Sequence, residues 1–288
     1  MQNLNLLQDA LKNNGQALAY QFLDGMNWKQ HTYSDIKHSL DNTIAYLLTN
    51  GFENKKVLSC ASTTLENFLT LNCLEALNCS INYDSETDNL NKNFDILVMD
   101  EIDESNKINT NEYFSVISLN SSIKKEIENK NLITFKTINK FGMMSKKKID
   151  ESKISELMGT DLNNISNSDK IKLEKIISEI SETEFVNIFY QNNVKFGNSI
   201  CSGLLKGKKK FINFKNWMEF ITNINETIPT HLFIDSGNLE KTYDFCIQKK
   251  INLKFFLGGK VKKIICHNLV DLNLNEDLNA IGIELVNI

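Results

Sequence analysis

The residues most able to do chemistry are scattered through the second half of the chain. Lys206 to Lys210, KGKKK, sets four lysines within five residues, and ammonium groups so spaced could meet a phosphate as point charges. No glycine-rich cradle of backbone donors surrounds them, so a solvated charge run is the simpler reading, with Lys206 and Lys208 kept as weak cofactor-binding candidates. Gly197 to Gly203, GNSICSG, approaches a nucleophile elbow, which needs small residues on both sides of the serine. Cys201 stands where the closing glycine should be, and the stretch reads as a loop without a catalytic Ser199. Met99 to Glu104, MDEIDE, places carboxylates just after a strand, but with no glycine or histidine nearby it reads as a solvated loop.

Leu257 to Gly259 and Cys266 to Asn268 fall at strand ends, in the region where open α/β sheets take ligands, so Gly258, Gly259 and His267 complete the weak candidates. Cys266 and His267 are adjacent, and neighbours on a strand face opposite ways, so they cannot form a dyad by themselves. No residue is assigned a catalytic role. The six cysteines form no Cys-x-x-Cys pair and sit mostly in apolar runs, which fits reduced, buried thiols and no metal site.

Something must position these residues, and the chain is long enough to do so. Its 288 residues, 41% of them apolar, can bury a full core. The net charge of −4 with scattered basic residues argues against a nucleic-acid partner. All 32 basic side chains are lysine; arginine, whose planar fork grips phosphate and carboxylate, is absent. The N-terminus lacks a cationic start with an apolar core, and no apolar run approaches the roughly 18 residues of a membrane span, so a cytoplasmic protein is expected.

Apolar periodicity alternates between strand and helix. Ile36, Leu40, Ile44, Leu47 and Leu48 form a helical stripe closed by Gly51; strands are expected at Val57 to Ala61, CSINYD, FDILVMD, FSVISL and NLITFKTI, with a helix over TTLENFLTLNCLEALN. The second half reads as helix DKIKLEKIISEI, strand FVNIFY, helix NWMEFITNI, strand THLFID, a turn at Ser236 to Asn238, helix LEKTYDFCI, strands LKFFL and VKKIIC, and a last strand IELVN. Pro229, the only proline, belongs at the mouth of the THLFID strand. No internal repeat is visible. The polar stretch from Asn139 to Asp169 is read as the least ordered part, which gives two expected units, 1–165 and 166–288. The fold class is α/β, mostly parallel sheets flanked by helices.

Three of these stretches, in order, resemble the N-terminal domain of the adenylate-forming acyl-CoA synthetases, the long-chain fatty acyl-CoA ligase branch in particular. NWKQHTYSDIKHSLDNTIAYLLTNGFENKKVLSCASTTLENFLTLNCLEALNCSINYD is similar to that family's opening, IPTHLFIDSGNLEKTYD to its Pro-Thr-His strand and following helix, and LGGKVKKIICHNLVDLNLNEDLNAIGIELVNI to its Leu-Gly-Gly strand pair. The resemblance implies two pseudo-related subdomains. The chemical motifs depart from it: QNNVKFGNSICSG stands where the Ser/Thr/Gly-rich phosphate loop would follow FVNIFY, Ser236-Gly237 replace Pro-Arg, and Cys266-His267-Asn268 replace small residues and should narrow the pocket. Ile288 falls where the Tyr-Gly-x-Thr-Glu loop would begin, so this sequence does not include the adenine-stacking Tyr, the Mg²⁺-binding Glu or the lid lysine.

The expectation is a non-catalytic binding or scaffolding pseudoenzyme in lipid-related metabolism, with no cofactor. It would act through a protein partner or its own second copy, with a fatty-acyl group as a further candidate ligand. The alternatives are an AMP-forming fatty acid–CoA ligase that uses ATP and Mg²⁺ only with a partner chain, and a simple binder of fatty-acyl groups or acyl carriers.

Overall fold

A computed structural model describes residues 6–24, 27–83, 94–100, 112–119, 131–146, 166–191, 194–267 and 272–288. The chain divides into two compact units, Met1–Lys12 with Ser34–Leu162, and Asn13–Tyr33 with Asn163–Ile288. The hairpin in 13–33, early in the sequence, thus contributes its strands to the sheet of the later unit.

The first unit contains α1 (Leu6–Asn13), α2 (Tyr33–Thr49), β3 (Lys56–Ser59), α3 (Leu65–Ala76), β4 (Ser80–Tyr83), β5 (Ile96–Met99), β6 (Ser115–Ser118), β7 (Leu132–Thr134) and α4 (Phe135–Lys146). Its sheet has the order β4-β3-β5-β6-β7, every pair parallel. β5 and β6 are buried along their whole length, as strands covered on both faces must be, which is why ILVM and SVIS show no polar alternation at their centres. Thr64 caps α3, its hydroxyl accepting the Asn67 N–H at 3.1 Å. On α4, Gly142 lets the helix approach α2 closely: a Cβ at that position would lie 2.0 Å from the Asn42 backbone oxygen. Asp41, buried on α2, is held by Lys37 and Lys146, each at 2.7 Å.

The second unit contains β1 (Leu18–Asp24), β2 (Asn27–Thr32), α5 (Asn167–Glu179), β8 (Phe185–Phe189), α6 (Val194–Lys206), β9 (Lys210–Asn213), α7 (Trp217–Thr227), β10 (His231–Ile234), α8 (Ser236–Lys249), α9 (Leu253–Phe256), β11 (Lys263–Cys266), α10 (Leu272–Ala280) and β12 (Glu284–Asn287). The order is β12-β11-β10-β8-β9-β1-β2, parallel except for the β1–β2 hairpin. Leu232 and Ile234 of β10 join Phe189, Phe220, Ile224, Leu239 and Ile264 in one core layer. Phe189 stacks on Phe220 with centroids 4.6 Å apart. Buried Pro229 lies between the end of α7 and the start of β10, so its missing N–H falls outside the ladder.

The sequence shows no repeat, yet the topology repeats. Counting strands along the chain within each unit from β3 and from β8, both sheets run 2-1-3-4-5, the second extended by the hairpin. In that order the connection after the first strand leads one way and the connection after the third leads the other. Each sheet therefore has a switch point, between β3 and β5 and between β8 and β10, where a crevice opens at the strands' carboxyl ends.

Several local expectations are corrected. GNSICSG is not a loop but the middle of α6, since Phe196, Ile200, Cys201, Leu204 and Leu205 recur at helical spacing and are buried. LKFFL is not a strand: Leu253–Phe256 form a helical turn capped by Asn252, whose side chain accepts the Phe255 N–H at 3.0 Å. Ser236 to Asn238 are not a turn but the first turn of α8, because Asp235 caps it. Residues 139–146, read as poorly ordered, finish α4, and 167–169 begin α5; 147–165 lie outside the described residues. None of the described helices is long and apolar enough to cross a membrane.

Candidate functional site

The switch point of the second unit is the place where this sheet can hold a ligand, and polar groups of the chain bond one another there. β8 ends at Phe189 and α6 begins at Val194, so residues 190–193 alone join them. Asp235 follows β10 directly and is buried. Its Oδ1 accepts the Asn238 N–H at 2.9 Å as the N-cap of α8. Its Oδ2 accepts the Asn238 side-chain amide at 2.8 Å and the Gln191 backbone N–H at 3.1 Å. Asn238 also donates to Gln191 Oε1 at 3.3 Å. One N-terminal amide of α8, that of Asn238, which could otherwise receive an anion, is thus turned toward a carboxylate of the same chain.

One strand further, the His267 N–H donates to the Tyr190 hydroxyl at 3.1 Å. The Phe196 ring lies 4.6 Å from the His267 ring and 5.5 Å from that of Tyr190. Burial pushes the Tyr190 phenol well above its ordinary value, so it stays protonated. Burial also raises the Cys266 thiol strongly; it is a packing group and not a thiolate nucleophile.

The candidates from sequence are not brought together. His267 stands at the carboxyl end of β11, beside the switch point. Gly258 and Gly259 lie before β11, at the amino ends of the strands, where their positive φ of 85° and 76° ends α9. The Gly258 N–H bonds Phe255 O at 3.0 Å and the Gly259 N–H bonds Lys254 O at 2.8 Å. Lys206 ends α6, and Lys208, at φ 59°, turns the chain into β9, again at the amino ends. KGKKK is not uniformly solvated: Lys209 is buried with its ammonium on the Ile180 carbonyl, and Lys210 opens β9. Ser199 lies within α6, its hydroxyl donating to Lys195 O at 3.1 Å. Glu101 to Glu104 and Asn268 lie outside the described residues.

Two aspartates hold the switch points: Asp235, which the sequence reading passes over, and Asp100, which it takes as part of a solvated MDEIDE loop. In the first unit, Asp100 follows β5, and its Oδ2 accepts the Ser62 N–H at 2.9 Å and the Ser62 hydroxyl at 2.6 Å. Asp100 is to β5 and β3 what Asp235 is to β10 and β8. The signal was visible: FDILVMD and THLFID both end an apolar run on aspartate. Five of the six cysteines are buried, and Cys60 is partly exposed. Among the described residues no group of three or more His, Cys, Asp or Glu is placed to hold a metal ion.

No protein-family profile matches the sequence, and no curated protein matches it by sequence. Solved structures do match its fold. The luciferase-like enzyme from the nonluminescent mealworm Zophobas morio is 12% identical with a TM-score of 0.65, over 99% of this chain and 71% of that one. The A domain of carboxylic acid reductase from Segniliparus rugosus, solved with AMP and a co-purified carboxylic acid, is 10% identical with a TM-score of 0.64, over 100% and 60%. The fatty acyl-adenylate ligase from L. pneumophila, solved with acyl adenylate and pyrophosphate, is 12% identical with a TM-score of 0.58, over 97% and 52%. The present chain thus spans 52% to 71% of the length of these three proteins. Its two mostly parallel, helix-flanked sheets have the fold of the N-terminal domain of the adenylate-forming superfamily.

Proposed function

We propose that this chain is a non-catalytic member of the adenylate-forming fold, a binding or scaffolding pseudoenzyme of lipid-related metabolism. The observation that carries this reading is Asp235, whose two oxygens accept Gln191 N–H, Asn238 N–H and the Asn238 amide across the switch point. Adenylation of an acid needs in-line attack on an α-phosphate whose charge is neutralised by metal and positive donors, and loss of one such donor costs about 10²–10³ in rate.

The residues at the carboxyl ends of β8 and β10 do not fit Mg·ATP. A carboxylate already satisfied by the chain repels phosphate, residues 190–193 (Tyr-Gln-Asn-Asn) contain none of the glycines that let a backbone wrap phosphate, and no arginine exists to take the place of either. Lys206 and Lys208, the nearest thing to a phosphate-binding pair in sequence, stand at the other end of the sheet.

The lipid assignment draws on the acid-bearing relatives of the fold, one of them a fatty acyl-adenylate ligase. The protein would then act through a partner or a second copy of itself, in the cytoplasm. ATP–pyrophosphate exchange in the presence of a long-chain fatty acid tests the proposal. No acid-dependent exchange is expected; exchange that rises with fatty acid returns the protein to the ligases.

A further inference from the structure

Four exposed apolar side chains gather where α8 ends and α9 begins. Ile247 (57% exposed), Ile251 (37%) and Phe255 (73%) lie within nine residues of sequence. The glycine turn after α9 brings Ile228 (43%) to them: its Cα lies 3.0 Å from the point a Cβ on Gly258 would occupy, and Gly258 itself bonds Phe255 O. Ile228 is held at φ 47°, immediately before Pro229, a conformation that a β-branched residue adopts at a cost. Neither backbone preference nor the core accounts for an isoleucine there.

The apolar group is set among cations. Lys249, Lys250 and Lys260 are exposed and have no ion pair among the described residues. Lys254 donates to Ile281 O at 2.9 Å. The acids nearest the start of β11 are already taken, Glu184 by Lys262 at 2.7 Å and Glu179 by Lys263 at 2.9 Å. On α8 the nearest acid in sequence, Asp244, lies about one turn back from Ile247. The result is an exposed apolar patch with unpaired lysines at its rim, beside one exposed acid, Glu226, two residues before Ile228.

We propose that this surface seats the protein reversibly on an anionic lipid bilayer. Phe255 and the three isoleucines enter the boundary between headgroups and acyl chains, while Lys249, Lys250 and Lys260 meet the anionic headgroups. Lysine rims and aliphatic or phenylalanine tips suit a membrane surface. Protein interfaces, by contrast, are depleted in lysine and draw on hydrogen-bonding anchors, which the centre of this patch lacks. Each lysine at an anionic leaflet strengthens binding about fivefold, and the attraction weakens as salt shortens the Debye length.

Flotation of the whole chain with vesicles of phosphatidylcholine and phosphatidylserine, beside vesicles of phosphatidylcholine alone, tests this. The chain is expected to float only with the phosphatidylserine vesicles and to be released by high salt. Phe255→Ser should weaken flotation about tenfold, by removal of the most exposed apolar group. The double variant Lys249→Glu/Lys260→Glu should weaken it about 25-fold or more. All three positions are exposed, so circular dichroism should report an unchanged fold, and Met144→Ser, at an exposed residue of the other unit, should float like the parent. Failure of the parent chain to float, equal flotation with phosphatidylcholine alone, or variants that float like the parent would overturn the proposal. So would binding to an acidic peptide without binding to vesicles, which would assign the surface to a protein partner.

Discussion

Asp235 Oδ2 accepts the backbone N–H of Gln191 at 3.1 Å and so ties the end of β10 to the end of β8, at the point where the sheet's crossovers diverge. Asp100 does the same for β5 and β3 through Ser62, at 2.9 Å. Each unit thus spends on itself a carboxylate placed where this topology offers a ligand site.

Replacing Asp235 should therefore be costly for stability. Asp235→Ala removes an N-cap and leaves the buried Asn238 donors and the part-buried Gln191 N–H without it, a loss of about 3 kcal/mol in urea unfolding. Asp235→Asn keeps an oxygen for one of those donors and should lose about half as much. If both variants unfolded at the parent's midpoint, the buried network would have no energetic role.

Gly142→Ala should be the most damaging small substitution in the first unit. Its new Cβ would meet the Asn42 carbonyl, a backbone group that cannot rotate away, so α4 must shift from α2 at a cost of about 3 kcal/mol or more. At Gly51, with φ 76° and open space around it, alanine should cost only about 1 kcal/mol, through the left-handed conformation alone. Comparable losses at the two sites would contradict the close helix approach.

The protein should lose stability as pH falls through the histidine range. Burial holds the His231 imidazole below its ordinary 6.5, a depression that nearby Lys263 and Lys262 reinforce and Glu184 opposes. The unfolded chain then takes up a proton more readily than the folded one. This contribution is complete above the ordinary value and is lost as pH drops below it. His231→Gln should flatten the stability profile between about pH 7 and 5. A second decline at lower pH belongs to Glu184: burial would raise its carboxyl, but the hydrogen bonds from Lys262 and the Ser181 N–H outweigh it and hold the group below its ordinary value.

Alkylation should distinguish the cysteines. Burial pushes the Cys201 thiol up to about 12 and that of Cys246 to about 11, and both are almost fully covered. Iodoacetamide on the native protein should modify partly exposed Cys60 well before the other five, which should react only on unfolding. Rapid native labelling of Cys201 or Cys266 would show that the second unit's core opens.

The sequence made the parallel strands legible because burial on both faces writes them as unbroken apolar runs, as in ILVM and HLFI. It hid α6, because GNSICSG is rich in glycine and serine, and Phe196, Ile200, Cys201, Leu204 and Leu205 carry the helical period around it. LKFFL misled for the opposite reason: an apolar run of that length suits either a strand or a buried helical turn, and the Asn252 cap decided it. β9 was masked by the lysines before it, since Lys209 is buried through a contact with the Ile180 carbonyl that no periodicity reveals.

The candidate site was less legible than the fold. His267 was found because histidine is conspicuous, whereas Asp235 reads as an ordinary strand end and Asp100 as the start of a solvated acidic loop. Their meaning depends on which strands become neighbours, and β8 and β10 are separated in sequence by β9, which joins the sheet on the other side of β8. Gly258 and Gly259 misled because strand ends look alike in sequence, and only the pairing register shows that theirs are the amino ends.

Thermal unfolding with and without saturating Mg·ATP tests the central claim most directly. A ligand held at about 100 times its dissociation constant adds about 2.7 kcal/mol to the folded state, which raises Tm by several degrees in a domain of this size. With Asp235, Gln191 and Asn238 bonded to one another at the switch point, Tm should not move; a rise of several degrees would show that nucleotide binds and contradict the account.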